Sequence, residues 1–163
     1  MLAIDASIAA AWFLDRKNTY ARFALRSALD GNAAVPGNFH SETLEALLRG
    51  LRREKLPPDA VAEAIELMAQ LTLSIEFPSL SAIAMLARKH RLSAYDAGYL
   101  AVATSLRLQL ATLDNDLAAA AKREHCFWTP PSRYTGSQEI SFLTAPRSQR
   151  PRTGSTKRER VGP

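Results

Sequence analysis

The chain has 163 residues, 47% hydrophobic and 23% charged, a composition that fits one soluble globular domain with a substantial core. Its single cysteine, Cys126, excludes an intramolecular disulfide and suits a reducing compartment. The net charge of +5 lies wholly beyond Ser132, where seven basic residues face two acidic ones; before it fourteen of each sign cancel, so the body is not the basic surface that binds nucleic acid by charge alone.

The opening MLAIDASIAAAWFLD has no positive leading segment, and its apolar run is well short of the ~20 residues that span a bilayer. Neither a signal peptide nor a membrane anchor is expected, and the expected location is the cytoplasm. Leu2 to Ile4 reads as a strand ending at Asp5, with Ser7 and a helix over Ile8 to Leu14 behind it. Asn18 can cap a second helix whose apolar positions Phe23, Ala24, Leu25, Ala28 and Leu29 recur at helical spacing, with Gly31 as its stop. Ala33 to Val35 reads as a second strand closed by Pro36.

Ser41 to Arg53 carries Leu44, Leu47, Leu48 and Leu51 on one stripe and basic residues at its end, where the helix dipole favours them; Pro57 and Pro58 break it. Asp59 opens another amphipathic helix, followed by a strand over Leu71 to Ile75. Pro78 and Ser79 start a helix running to His90, and Ser93 caps one through Tyr99, Val102 and Leu106. Leu108 to Leu113 reads as a buried strand, Asp114-Asn115-Asp116 as a turn, and Leu117 to Lys122 as an alanine-rich helix. Strands alternating with helices predict an α/β fold with a central, mostly parallel sheet covered on both faces. The body is expected to span 1–126. From Phe127 the sequence loses periodicity, and 127–163 is expected to be a basic, largely disordered tail, with some local structure at Ile140 to Leu143.

Four carboxylates, Asp5, Glu42, Asp96 and Asp114, each fall where a strand ends or a helix begins. Each has a structural explanation of its own. Asp5 or Ser7 can cap the first helix, Glu42 suits a helix N-terminus, Asp96 stands three residues after Ser93 in the manner of a capping box, and Asp114 suits a turn. Their joint placement supports a second reading, because open α/β sheets bind ligands beyond the carboxyl ends of their strands. Oxygen donors without a His or Cys cluster point to Mg²⁺ or Mn²⁺ rather than zinc.

The blocks IDASIAAAWFL, VPGNFHSETLEALLRG, HRLSAYDAGYLAVA and LATLDNDLAAAA resemble, in this order, the PIN-domain ribonucleases, particularly the toxins of VapBC-type toxin and antitoxin pairs. The resemblance implies a three-layer PIN-like fold and an Mg²⁺- or Mn²⁺-dependent endoribonuclease whose metal-binding acids are Asp5, Glu42, Asp96 and Asp114. It gives Asp116 a helper role for a second ion and makes Ser7 and Thr112 supporting residues, although Ser7 can equally cap and Thr112 can simply pack in a strand. It further implies an RNA substrate, a cognate antitoxin and a homodimer, for which the first helices and the Leu44 to Leu51 helix offer apolar surfaces or core. Trp12 and Phe13 read as core or dimer contacts. Arg49, Arg52, Arg53 and Lys55, or Arg88, Lys89 and Arg91, are either phosphate contacts or solvated helix ends, and His40, His90 and His125 surface or helix-end residues. Glu45 stands where many relatives have Asn and adds negative charge near the site; Gly98 replaces an apolar residue; HCFWTPPS stands where relatives finish the sheet with an apolar strand. Two rivals remain: a catalytically inactive PIN module that binds an antitoxin or RNA, and a phosphoacceptor domain using a strand-end Asp.

Overall fold

The computed structural model describes residues 1–130, in which four parallel strands take the order β3-β2-β1-β4. The strands are β1 (Leu2–Ile4), β2 (Ala33–Pro36), β3 (Leu73–Glu76) and β4 (Gln109–Ala111). Parallel neighbours need long crossovers. Here each crossover is a helix pair: α1 (Ala6–Leu14) with α2 (Thr19–Leu29), α3 (Phe39–Arg52) with α4 (Ala60–Gln70), and α5 (Leu80–His90) with α6 (Ala94–Ser105); α7 (Asn115–Arg123) follows β4. Every residue of β1 and β2 is buried, as the apolar runs LAI and AAV require when helices flank the sheet.

Helix α6 lies against β1, β2 and β4, and its run from Ala97 to Ala103 is buried throughout. Small residues there let the helix approach the sheet closely. The apolar α1 packs chiefly on α3 and α2, so Trp12 and Phe13 are core. Trp12 satisfies its indole by donating Nε1–H to the Ala21 carbonyl at 3.0 Å. Gly50 marks the close approach of α3 to α1: a Cβ there would stand 2.5 Å from Leu14 Cδ2.

Several helix ends follow their sequence signals. Asn18 accepts the Ala21 N–H at 2.9 Å, Ser79 the Ala82 N–H at 3.2 Å and Ser93 the Asp96 N–H at 3.1 Å, while Gly31 takes φ +70° just past α2. Other boundaries shift. α1 begins at Ala6 rather than Ile8, α3 at Phe39 rather than Ser41, and β3 at Leu73 because α4 runs to Gln70 with Leu71 as its C-cap. His90 is the last residue of α5, as a helix-end reading has it, but its side chain is buried and its Nε2 lies 2.6 Å from Glu124 Oε1. Lys89 joins the same carboxylate at 2.7 Å, and together they tie α5 to the end of α7.

Packing of the body continues past Cys126. The Leu110 N–H donates to the Cys126 carbonyl at 2.6 Å and the Trp128 N–H to the Leu110 carbonyl at 2.9 Å, so Phe127 bridges β4 in parallel. Trp128 is buried; the Tyr20 hydroxyl donates to its carbonyl at 2.9 Å and the two rings lie 5.0 Å apart. This short pairing stands on the edge where an apolar closing strand is expected. The compact unit containing it spans Met1–Pro131. Residues 131–163, with the segment Ile140 to Leu143, lie outside the described residues. No helix among the described residues is long and apolar enough to cross a membrane.

Candidate metal centre

All four strands run in the same direction, so their carboxyl ends share one edge of the sheet. The chain leaves β1 on one side to build β2 and β3 and returns on the other side to build β4. The topological switch point therefore falls between β1 and β4, the position at which open α/β sheets hold ligands. Asp5 ends β1 there, and Thr112, Leu113 and Asp114 follow β4.

Asp5 is the N-cap residue of α1, yet its side chain caps nothing. Its Oδ2 accepts instead from the Ser7 hydroxyl and, at 2.8 Å, from the buried Thr112 hydroxyl. Ser7 does not cap α1 either; its Oγ takes the Leu113 N–H at 2.9 Å. Thr112 Oγ1 also accepts the Asp114 N–H at 3.0 Å. Two hydroxyls thus stitch β1 to the segment after β4 and fix the Asp5 carboxylate between them.

Glu42 projects from the first turn of α3, where the helix dipole favours an acid. Its Oε2 accepts from Asn38 Nδ2 at 2.7 Å and from the Tyr99 hydroxyl at 2.6 Å. Asp96 sits in the first turn of α6, its Oδ2 accepting from the Ser93 hydroxyl at 2.6 Å while Ser93 caps the helix. Asp114 caps α7, its Oδ1 accepting the Leu117 N–H at 2.8 Å. The structural and chemical readings of these acids are therefore compatible. Glu42, Asp96 and Asp114 are each held through one carboxylate oxygen, while Asp5 is held by the Ser7 and Thr112 hydroxyls and by the Ser7 backbone.

Burial pushes the Asp5 carboxyl up to about 6 despite its two hydroxyl donors, and the charge of Asp96 pushes the same way. Burial also raises Glu42, opposed by Tyr99 and reinforced by Asp96. Burial, the hydrogen bond to Glu42 and the charges of Glu42 and Asp5 raise the Tyr99 phenol, which stays a protonated donor at every working pH. Asp5, Glu42 and Asp96 thus form one repelling group. None of them, nor Asp114, is ion-paired with a Lys or Arg among the described residues.

No three Asp, Glu, His or Cys side chains among the described residues converge closely enough to cage an ion. Like charges with no counter-ion stand apart, and the donor chemistry fits a hard divalent cation: oxygen only, free oxygens, uncompensated charge. The Asp114 carboxylate is turned to its cap, and Asp116 is exposed on the first turn of α7. Glu45 is not part of the group; its Oε1 is held by Arg52 at 2.9 Å and Arg49 at 3.7 Å on the exposed face of α3, which occupies those two arginines as well.

Asn38 and Tyr99 are site residues that motif reading passes over. A signal existed for Asn38, four residues before Glu42 at a helical spacing that brings side chains together; Tyr99 reaches Glu42 from another helix, 57 residues away.

Residues 2–123 match the model of the PIN domain. The chain is similar to a protein of Pyrobaculum aerophilum, PAE2754, known from its crystal structure, with 25% identity, a TM-score of 0.57 and coverage of 73% of this chain and 83% of that one. No curated protein sequence matches the chain significantly. With acids at the strand ends, a switch point between β1 and β4 and a family match across nearly the whole described body, the chain belongs to the PIN-domain family, a family of nucleases.

Proposed function

We propose that the protein is a Mg²⁺- or Mn²⁺-dependent endoribonuclease that hydrolyses RNA phosphodiester bonds. The observation that carries this reading is the buried Asp5 carboxylate, held by Ser7 and Thr112 beside the charges of Glu42 and Asp96 with no basic partner. Asp5 and Asp96 present carboxylate oxygens to a cation, and Asp114 joins them by the carboxylate oxygen its cap leaves over. Glu42, aligned by Asn38 and Tyr99, completes the set and orients water. When bound, the ion supplies Lewis acidity and a more acidic water, and offsets charge on the phosphoryl oxygens. Asp116 serves a second ion. The resemblance to VapBC-type toxins extends the proposal to a toxin that pairs with a cognate antitoxin and acts as a homodimer.

Cleavage of a mixed panel of structured RNAs with Mg²⁺ or Mn²⁺ tests it, beside EDTA and Asp96→Asn controls. Metal-dependent cutting lost in both controls is expected. A second reading, an inactive binding module, draws on the absence of a converged acidic cage among the described residues. Folded protein that binds metal and cuts no RNA would establish that reading instead.

A further inference from the structure

Phe77 and Tyr95 are the two exposed aromatic residues among those described, with 83% and 63% of their surfaces open to water. Every other described aromatic is buried or half-buried, including Trp12 and Phe13. Both exposed rings belong to the edge of the sheet that carries the acids. Phe77 follows the end of β3, and Tyr95 directly precedes Asp96 in the first turn of α6.

The ring edge of Phe77 lies against Gly37, where a Cβ would stand 2.7 Å from Cε1. The turn it rests on leads directly into Asn38, which holds Glu42. An apolar ring this exposed forgoes the stabilisation that burial would give it.

We propose that Phe77 and Tyr95 are a stacking platform for unpaired bases of an RNA strand whose phosphodiester lies at the acidic edge; this rests on the endoribonuclease reading. Every base has a π-face, so aromatic stacking holds single strands without reading sequence, and duplex bases are already stacked on one another. The platform therefore selects unpaired segments and positions the strand across Glu42 and Asp96. It complements an acidic site that has little else to attract RNA.

The test is the affinity of full-length Asp96→Asn protein, with Mg²⁺ present, for a fluorescein-labelled, unstructured oligoribonucleotide, read by anisotropy with and without Phe77→Ala, Tyr95→Ala and Phe77→Trp. Each alanine raises Kd by about 5- to 100-fold, the range expected for loss of one stacked base, and tryptophan retains binding. Duplex RNA binds weakly in all forms. Unchanged Kd in both alanine variants, with circular dichroism showing a native fold, overturns the proposal. So does failure of the parent to bind single strands, or alanine variants that keep RNA and lose a protein partner instead. Single-strand binding that depends on both rings, without metal-dependent cleavage by the unsubstituted protein, would instead refute the nuclease reading and leave the platform standing.

Discussion

Asp5 must lose its proton to hold a cation, and burial makes that loss harder. With its carboxyl raised from 3.8 to about 6, proton and metal compete in a physiological range. Mn²⁺ affinity measured by titration calorimetry should fall as pH drops below about 6, approaching tenfold per unit. The same shift has a stability consequence. A folded-state pKa above the unfolded one contributes stability that is fully present below about pH 4 and is lost as pH rises through about 6. The ionised side chain is then a burden of up to about 3 kcal/mol at neutral pH. Asp5→Asn keeps an oxygen for Ser7 and Thr112 and removes the charge, so the metal-free variant should melt higher than the parent at pH 7.5 and not at pH 4. It should also lose the stabilisation that added Mn²⁺ gives the parent. Tyr99 acts on Glu42 in the opposite sense, favouring the carboxylate. Tyr99→Phe removes one charge-assisted hydrogen bond, worth about 1.5–3 kcal/mol, and should lower kcat for RNA cleavage roughly tenfold or more while far-UV circular dichroism is unchanged.

Helix α6 shows what the sequence discloses about an element and what it withholds. Its start was legible from Ser93 with Asp96 three residues on: Ser93 caps the helix by accepting the Asp96 N–H, and its hydroxyl donates to the Asp96 carboxylate in place of the backbone return bond of a capping box. Its role as the helix on which Tyr99 reaches Glu42 was not, since that contact joins residues 57 apart and depends on how α3 and α6 sit on the sheet. Asp5 and Ser7 were legible as a pair at a strand end, but local propensity left capping and metal binding equally open; only the return of β4 supplies Thr112 and the Leu113 amide that claim them. β3 was displaced by two residues because the alternation of Leu71, Leu73 and Ile75 with Thr72 and Ser74 reads as strand from Leu71 on, although Leu71 serves as the C-cap of α4. Glycine at position 98 is a third case. It is buried, but a Cβ built there meets nothing within 4 Å. Gly98→Ala should therefore raise stability by about 0.5–1 kcal/mol, the intrinsic gain of alanine over glycine inside a helix, as read from urea midpoints.

Over the whole molecule, charge and chemistry are separated along the chain. The body is electrically balanced up to Ser132, and the +5 is carried by the residues after it. The proposed function then puts metal-dependent chemistry in the body and leaves non-specific attraction to RNA to the basic segment. Removing residues 133–163 should flatten the salt dependence of RNA binding, by a slope corresponding to at most about five neutralised phosphates, and spare Mn²⁺ binding. An unchanged slope would show that the body itself engages the phosphates.

The hydroxyl pair that fixes Asp5 reaches across 107 and 106 residues of sequence, from the first strand to the last. During synthesis β1 emerges first, but its partner β4 and the Thr112 side chain are made only after six helices. A nascent chain that has not yet delivered β4 carries Asp5 without its clasp, Asp96 without Asp114, and an interior strand with one side unpaired. The acid centre is thus among the last features to be completed, and a chain released early by a stalled ribosome is born without it.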